Sequence, residues 1–251
     1  MLVENDKAVG IRLANSTEYR GDIVISAADG HTTIFDMLDG MYINEKIRGY
    51  YDNLPLRPPL VYISLGVARK FDDVPSSAEG LVFPLEKPVT IAGKGHKTLI
   101  VQIYNFDPTL APEGKTVIKV HFNTDYDYWE SLYKDPERYK SEKEQIADDV
   151  TAALEQRFPG ITAQVEMRDV ATPMTWVRYT GNWRGAYEGW MMTPRTFMMP
   201  ISKTLPGLDN FYMAGQWVFL GGSMPTAVMS GNHAIQIICK KDKKKFVTST
   251  P

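Results

Sequence analysis

Short β-branched runs and turn residues set the pattern of the first 30 positions. Lys7–Leu13 and Tyr19–Ser26 flank the polar turn Asn15-Ser16-Thr17, which predicts a hairpin. Ile23-Val24-Ile25 is apolar without alternation, the pattern of a strand buried on both faces. Such a strand needs partners from its own sheet, so 1–30 and 211–239 are expected to lie together. Ala27-Ala28-Asp29-Gly30 breaks the strand, and short helices are expected over Thr32–Leu38 and Asn44–Asn53. Beyond Pro55, Pro58 and Pro59 come strand-like runs at Leu60–Val67, Leu81–Leu85, Thr98–Asn105 and Val117–Phe122, with turns at Gly93-Lys94-Gly95 and Pro112-Glu113-Gly114. Asp135 as N-cap, Pro136 at the first helical position and Ile146, Val150, Leu154 and Phe158 at every fourth residue predict a helix over 136–158. Ile161–Val170 reads as a strand returning to that sheet. The stretches Tyr179–Trp190 and Met191–Met199 are irregular. Phe211–Ala214 then leads through Gly215–Gly222 into a helix over Pro225–Cys239, followed by the basic run KKDKKK at 240–245. The whole predicts an α/β fold with a mixed α+β middle.

Composition narrows the class. The 251 residues are 43% hydrophobic and 23% charged, with 28 Lys+Arg against 30 Asp+Glu. That is the profile of a folded chain with material for a real core. It excludes a disordered chain, and it gives no support to a nucleic-acid binder working through bulk positive charge. No stretch approaches the roughly 20 apolar residues of a membrane span. The start, MLVENDKAVG, lacks the basic flank and apolar run of a signal peptide, so a cytoplasmic location is expected. The lysines of 240–245 suit peripheral contact with anionic lipid, against the alternative of a solvated tail whose charge complements a helix C-terminus. Cys239 is the sole cysteine and permits neither an internal disulfide nor a cysteine metal cage.

Familiar catalytic signatures fail. Gly93-Lys94-Gly95-His96-Lys97-Thr98 has a histidine where a phosphate loop needs its second glycine, and it sits between strands, as a hairpin turn would. No G-x-G-x-x-G occurs. The nucleophile elbow fails at Ser223 and Ser230, and His31, His96, His121 and His233 are scattered without ligand spacing.

What remains is FYMAGQWVFLGGSMPTAVMSGNHAIQIIC, a buried strand, a glycine-rich crossing and a helix. A helix start offers unpaired N–H groups and about half a positive charge. Glycines let backbone lie flat against a planar ring. Four more stretches stand in matching order: KAVGIRLANSTEYRGDIVISAAD, LAPEGKTVI, ATPMTWVRYTGNWRGAYEGW and LPGLDNFYMAGQW. Together they resemble the phytoene desaturase-like flavoproteins, the group of carotenoid desaturases, carotenoid isomerases and retinol saturase. The crossing departs from the desaturases, which often carry Pro-Gly-x-Gly there; this chain has Leu220-Gly221-Gly222-Ser223.

The resemblance implies the C-terminal part of a two-domain FAD-dependent oxidoreductase that moves hydride at C–C bonds of an apolar, isoprenoid or carotenoid-like substrate. It implies FAD contacts at Ala28, Asp29, Gly215, Gln216, Gly221, Gly222, Ser223, Met224 and Pro225. It also implies an FAD-domain portion at 1–40 and 200–251 around a substrate domain at 41–199. Trp176, Trp183, Tyr187, Trp190 and Met191, with Met192, Met198 and Met199, are candidates to line a substrate tunnel, against the alternative of a packed aromatic core. The family's glycine fingerprint is absent, so the pyrophosphate-binding half is expected outside these residues, in the same or a separate chain, and this chain alone is expected to lose FAD, to be inactive and to self-associate. Two rivals stand beside this reading: an amine-oxidase-type flavoenzyme, and a non-catalytic module binding an apolar ligand or a partner.

Overall fold

The computed structural model describes residues 1–78, 80–197 and 199–248; Met198, one of the tunnel candidates, lies outside them. In chain order the elements are β1 (Leu2–Glu4), β2 (Lys7–Arg12), β3 (Glu18–Arg20), β4 (Val24–Ser26), α1 (Glu45–Asn53), β5 (Leu60–Val67), β6 (Leu81–Ile91), β7 (Lys94–Ile103), β8 (Thr116–Asn123), α2 (Tyr126–Tyr133), α3 (Pro136–Arg157), β9 (Val165–Ala171), α4 (Pro173–Thr180), β10 (Phe211–Met213) and α5 (Ser223–Lys241). They divide into two compact units, one formed by Met1–Arg57 with Tyr179–Pro251, the other by Pro58–Arg178.

In the first unit β1, β2 and β3 form an antiparallel sheet. The arm expected as one strand over Tyr19–Ser26 is two, because the chain turns at Gly21-Asp22, with Gly21 N–H donating to Val9 O at 3.1 Å. β4 then joins another sheet, parallel to β10, with Phe211 opposite Val24 and Met213 opposite Ser26. The two ends of the chain do lie together. Burial on both faces does not follow. Val24 and Ser26 are buried, but Ile23 and Ile25, which alternate with them onto the other face, stay 40% and 44% exposed, since that face is not covered.

The predicted helix at Thr32–Leu38 is a π-helical turn, Thr32–Asp36. α1 is capped by Asn44, whose side chain accepts from Ile47 N–H at 3.0 Å, and it buries Ile47 and Tyr50. Those two residues share one core with Ile34, Leu38, Trp190, Phe211 and Trp217. Hence 41–57, 179–197 and Met199 pack within this unit, and not with the middle of the chain as expected. α5 buries Ala234 and Ile238 against Tyr212, while Met224, Val228 and Ile235 remain 83%, 73% and 41% exposed.

The second unit is a five-stranded antiparallel sheet in the order β6-β7-β8-β5-β9. Val61, Ile63, Leu65 and Val67 alternate inward along β5 and share a core with Ile146, Val150 and Leu154 of α3. β6 outruns its predicted end at Leu85 and passes through Pro84 and Pro88. An edge strand tolerates both prolines, and its register breaks between Pro84 and Val89. The hairpin turn to β7 is Ala92-Gly93, with φ of 49° and 74°, so Lys94–Thr98 already belong to the strand. α2 and α4 were not predicted, although Asp125, accepting from Tyr128 N–H at 2.9 Å, is an ordinary N-cap. Among the described residues no helix is long and apolar enough to cross a membrane.

Candidate cofactor site

Because β4 and β10 are parallel, both deliver their carboxyl ends to one place, where crevices in such sheets hold ligands. A cleft of about 470 Å³ opens there, within the usual size of a small-molecule site. Ala27 and Ala28 line it from β4, Gly215, Gln216 and Trp217 from β10, and Ser223, Met224 and Ala227 from α5, with Asn182, Tyr187 and Glu188 completing the wall.

Local sequence explains the shape. Gly215 has φ of 95°, and its N–H donates to Ser230 Oγ at 2.6 Å; Ser230 is fully buried and donates in turn to Ala227 O at 2.6 Å. That relay fixes the β10 end to the second turn of α5. Gly221, Gly222 and Ser223 follow one another at φ of 100°, 64° and 75°, swinging the chain into the helix. A Cβ at Gly222 would stand 2.5 Å from Glu188 Cβ, so only glycine fits. No side chain caps α5 at Gly222, and its first N–H groups carry the helix's positive end.

Of the predicted cofactor residues, Ala28, Gly215, Gln216, Ser223 and Met224 line the cleft. Gly221 and Gly222 stand behind that wall, packed toward Met192 and Glu188, and Pro225 is exposed on the first turn of α5. Asp29 is 4% exposed, with both oxygens engaged: Oδ1 accepts from Thr32 N–H at 2.8 Å and Oδ2 from Trp183 N–H at 2.9 Å. It braces the β4 end and does not line the cleft.

The aromatic candidates separate. Tyr187 lines the cleft. Trp190 is a core residue, 1% exposed, its Nε1–H donating to Trp217 O at 3.2 Å. Trp183 stacks on His31 with centroids 4.9 Å apart, and both tryptophans lie edge-on to Tyr51. Burial and then the charge of Asp29 push the Tyr51 hydroxyl far above its ordinary range. These rings pack on one another in place of framing an open cage. Met191 is half-buried and tied by its N–H to Pro55 O at 2.7 Å; Trp176 belongs to the other unit, against Tyr62.

Sequence reasoning missed Arg57 and Glu188. Leu56 pairs antiparallel with Trp190, and Arg57 N–H donates to Gly189 O at 3.0 Å, which brings Arg57 Nε to 2.8 Å from Glu188 Oε2. The one available signal was an isolated acid within an aromatic, glycine-rich stretch. Burial, then the Glu188 charge, raises the Tyr187 hydroxyl above its ordinary value.

The residues fit the ring of a flavin. Gly215, Ala27 and Ala28 give a flat wall, the α5 start offers donors and positive potential, and Trp217 Nε1 is buried without a hydrogen-bond partner. No cluster of metal-ligating side chains occurs among the described residues.

Comparison with known proteins agrees. The family model described as flavin containing amine oxidoreductase matches residues 2–239. Prolycopene isomerase of Daucus carota is 28% identical over 235 residues, covering 92% of this chain and 37% of that protein. The Arabidopsis thaliana prolycopene isomerase is 26% identical, with 92% and 38% covered. A Methylomonas 4,4'-diapophytoene desaturase (4,4'-diapolycopene-forming) is 24% identical, with 98% and 48% covered. The crystal structure of an oxidoreductase from Methanosarcina mazei shares the fold at a TM-score of 0.52 and 18% identity, over 94% of this chain and 47% of that one. The chain thus spans less than half the length of each.

Proposed function

Since the chain belongs to the flavin containing amine oxidoreductase family, we propose that it supplies the ring side of an FAD site in an oxidoreductase acting on C–C bonds of an apolar, isoprenoid or carotenoid-like substrate. When bound, the flavin accepts or returns a hydride. The carrying observation is the cleft itself, where the carboxyl ends of two parallel strands meet an uncapped helix start beside the orphaned Trp217 Nε1. Gly215, Ala27 and Ala28 would flank the ring, and α5 would face its electron-rich edge. The substrate class is supported by the names of the relatives, an isomerase and a desaturase of carotenoids. The mutually packed tryptophans speak against an amine cage.

No G-x-G-x-x-G lies in these 251 residues, so the pyrophosphate is assigned to polypeptide outside them. Residues 240–245 are read as a peripheral contact with anionic lipid. The test is flavin absorbance, near about 450 nm for oxidised flavin, after gel filtration. Residues 1–251 alone are expected to elute colourless, and yellow once the remainder of the site is co-expressed. Gly222→Leu should abolish the colour by pushing Glu188 into the ring's place. A stoichiometric yellow peak from 1–251 alone would overturn the division of the site.

A further inference from the structure

Granted the flavin reading above, we propose that Glu188 is the group that exchanges the substrate proton accompanying each hydride transfer. Forming a C=C bond from two adjacent saturated carbons breaks two C–H bonds. One hydrogen leaves with its electron pair, as hydride, to the flavin. The other C–H bond gives its pair to the new π bond and releases a proton, which must go to a base held in an apolar, water-poor site. In saturation the same carboxyl returns the proton as the hydride comes back.

Among the residues lining the cleft Glu188 is the one carboxylate. Its backbone is fixed by the short ladder in which Leu56 faces Trp190, Arg57 N–H donates to Gly189 O and Met191 N–H to Pro55 O. Its stem occupies the space that Gly222 leaves open. Arg57 Nε stands 2.8 Å from Oε2 but without an aligned hydrogen bond, so charge holds the carboxylate in place, and the Tyr187 hydroxyl hydrogen-bonds to it. The neighbouring Tyr187 cannot serve as the base, because burial and the Glu188 charge keep its hydroxyl protonated. A fixed carboxylate also stabilises the positive charge that grows on a polyene as hydride departs.

Two measurements decide. In residues 1–251 without flavin, Tyr187 ionisation is followed by ultraviolet difference absorbance, with Tyr187→Phe as the blank. Glu188→Gln is expected to move it to lower pH and Glu188→Asp to preserve part of the elevation; an unchanged titration overturns the contact. In the holoenzyme assembled with the rest of the site, 4,4'-diapophytoene is the probe and anaerobic bleaching of the flavin the signal. Glu188→Gln should bleach about 100-fold more slowly, with flavin content and probe binding retained, and Glu188→Asp should recover part of the rate. Wild-type bleaching matched by Glu188→Gln overturns the role of Glu188 and leaves the flavin reading standing. A yellow wild-type holoenzyme that the probe does not bleach overturns the substrate reading, and this role with it.

Discussion

His121 of β8 stands opposite Tyr62 of β5, with its Nδ1 buried and without a hydrogen-bond partner. Burial, then the charge of Lys119, holds its pKa below the ordinary histidine value. Folding therefore favours the neutral ring. The stabilisation is complete above the unfolded value of about 6.5 and is lost as pH falls through the folded value. The Tm of wild type should drop between pH 7.5 and pH 5, and His121→Gln should flatten part of that drop; His96, lowered by burial and then Lys94, retains the remainder. A wild-type and variant difference that stays constant with pH would refute the assignment. Single residues were also where the sequence was least legible. Gly215, Ser223 and Met224 could be picked out because they sit in one contiguous strand–crossing–helix unit. Arg57 and Glu188 meet only after a ladder far apart in sequence forms, and Ser230 looks like any small residue on a helix face.

At the scale of elements, periodicity served well wherever a segment was long. The four-residue repeat of α3 and the strand at Leu60–Val67 are both present as predicted. It failed where a run was short. Ile23-Val24-Ile25 reads as a doubly covered strand, yet the face of β4 that carries Ile23 and Ile25 is exposed, and its free edge separately invites pairing. α5 adds an apolar stripe, since Met224, Val228 and Ile235 recur at helical spacing and are all exposed. Exposed apolar area of this kind marks an interaction surface. The chain alone should therefore sediment as associated species, and Val228→Asp should raise the monomer fraction while the unfolding free energy changes by less than about 0.5 kcal/mol, as expected for a surface site. A dilution-stable wild-type monomer would count against this surface as a contact.

The whole molecule interrupts one unit with another. Residues 58–178 close all five strands of their sheet and the α3 face within one continuous stretch. Expressed alone, 58–178 should unfold cooperatively in urea, whereas 1–57 alone should stay protease-sensitive; loss of cooperativity in 58–178 would show that the middle depends on its flanks. The sequence located the middle sheet from its proline boundary, but it set the edges at 40 and 200 because the aromatic packing that draws in α1 and Trp190 is invisible before folding. The same interruption has a consequence in time. Translation proceeds at about 5–20 residues per second, so β4 emerges on the order of ten seconds or more before β10 exists. Through that interval the middle unit can finish folding, while Val24, Ile34 and Ile47 wait for Trp190, Phe211 and Trp217, with which they share a core. A nascent chain arrested after residue 178 should therefore recruit a holding chaperone to its N-terminal segment and release it once Phe211–Met213 has cleared the ribosome.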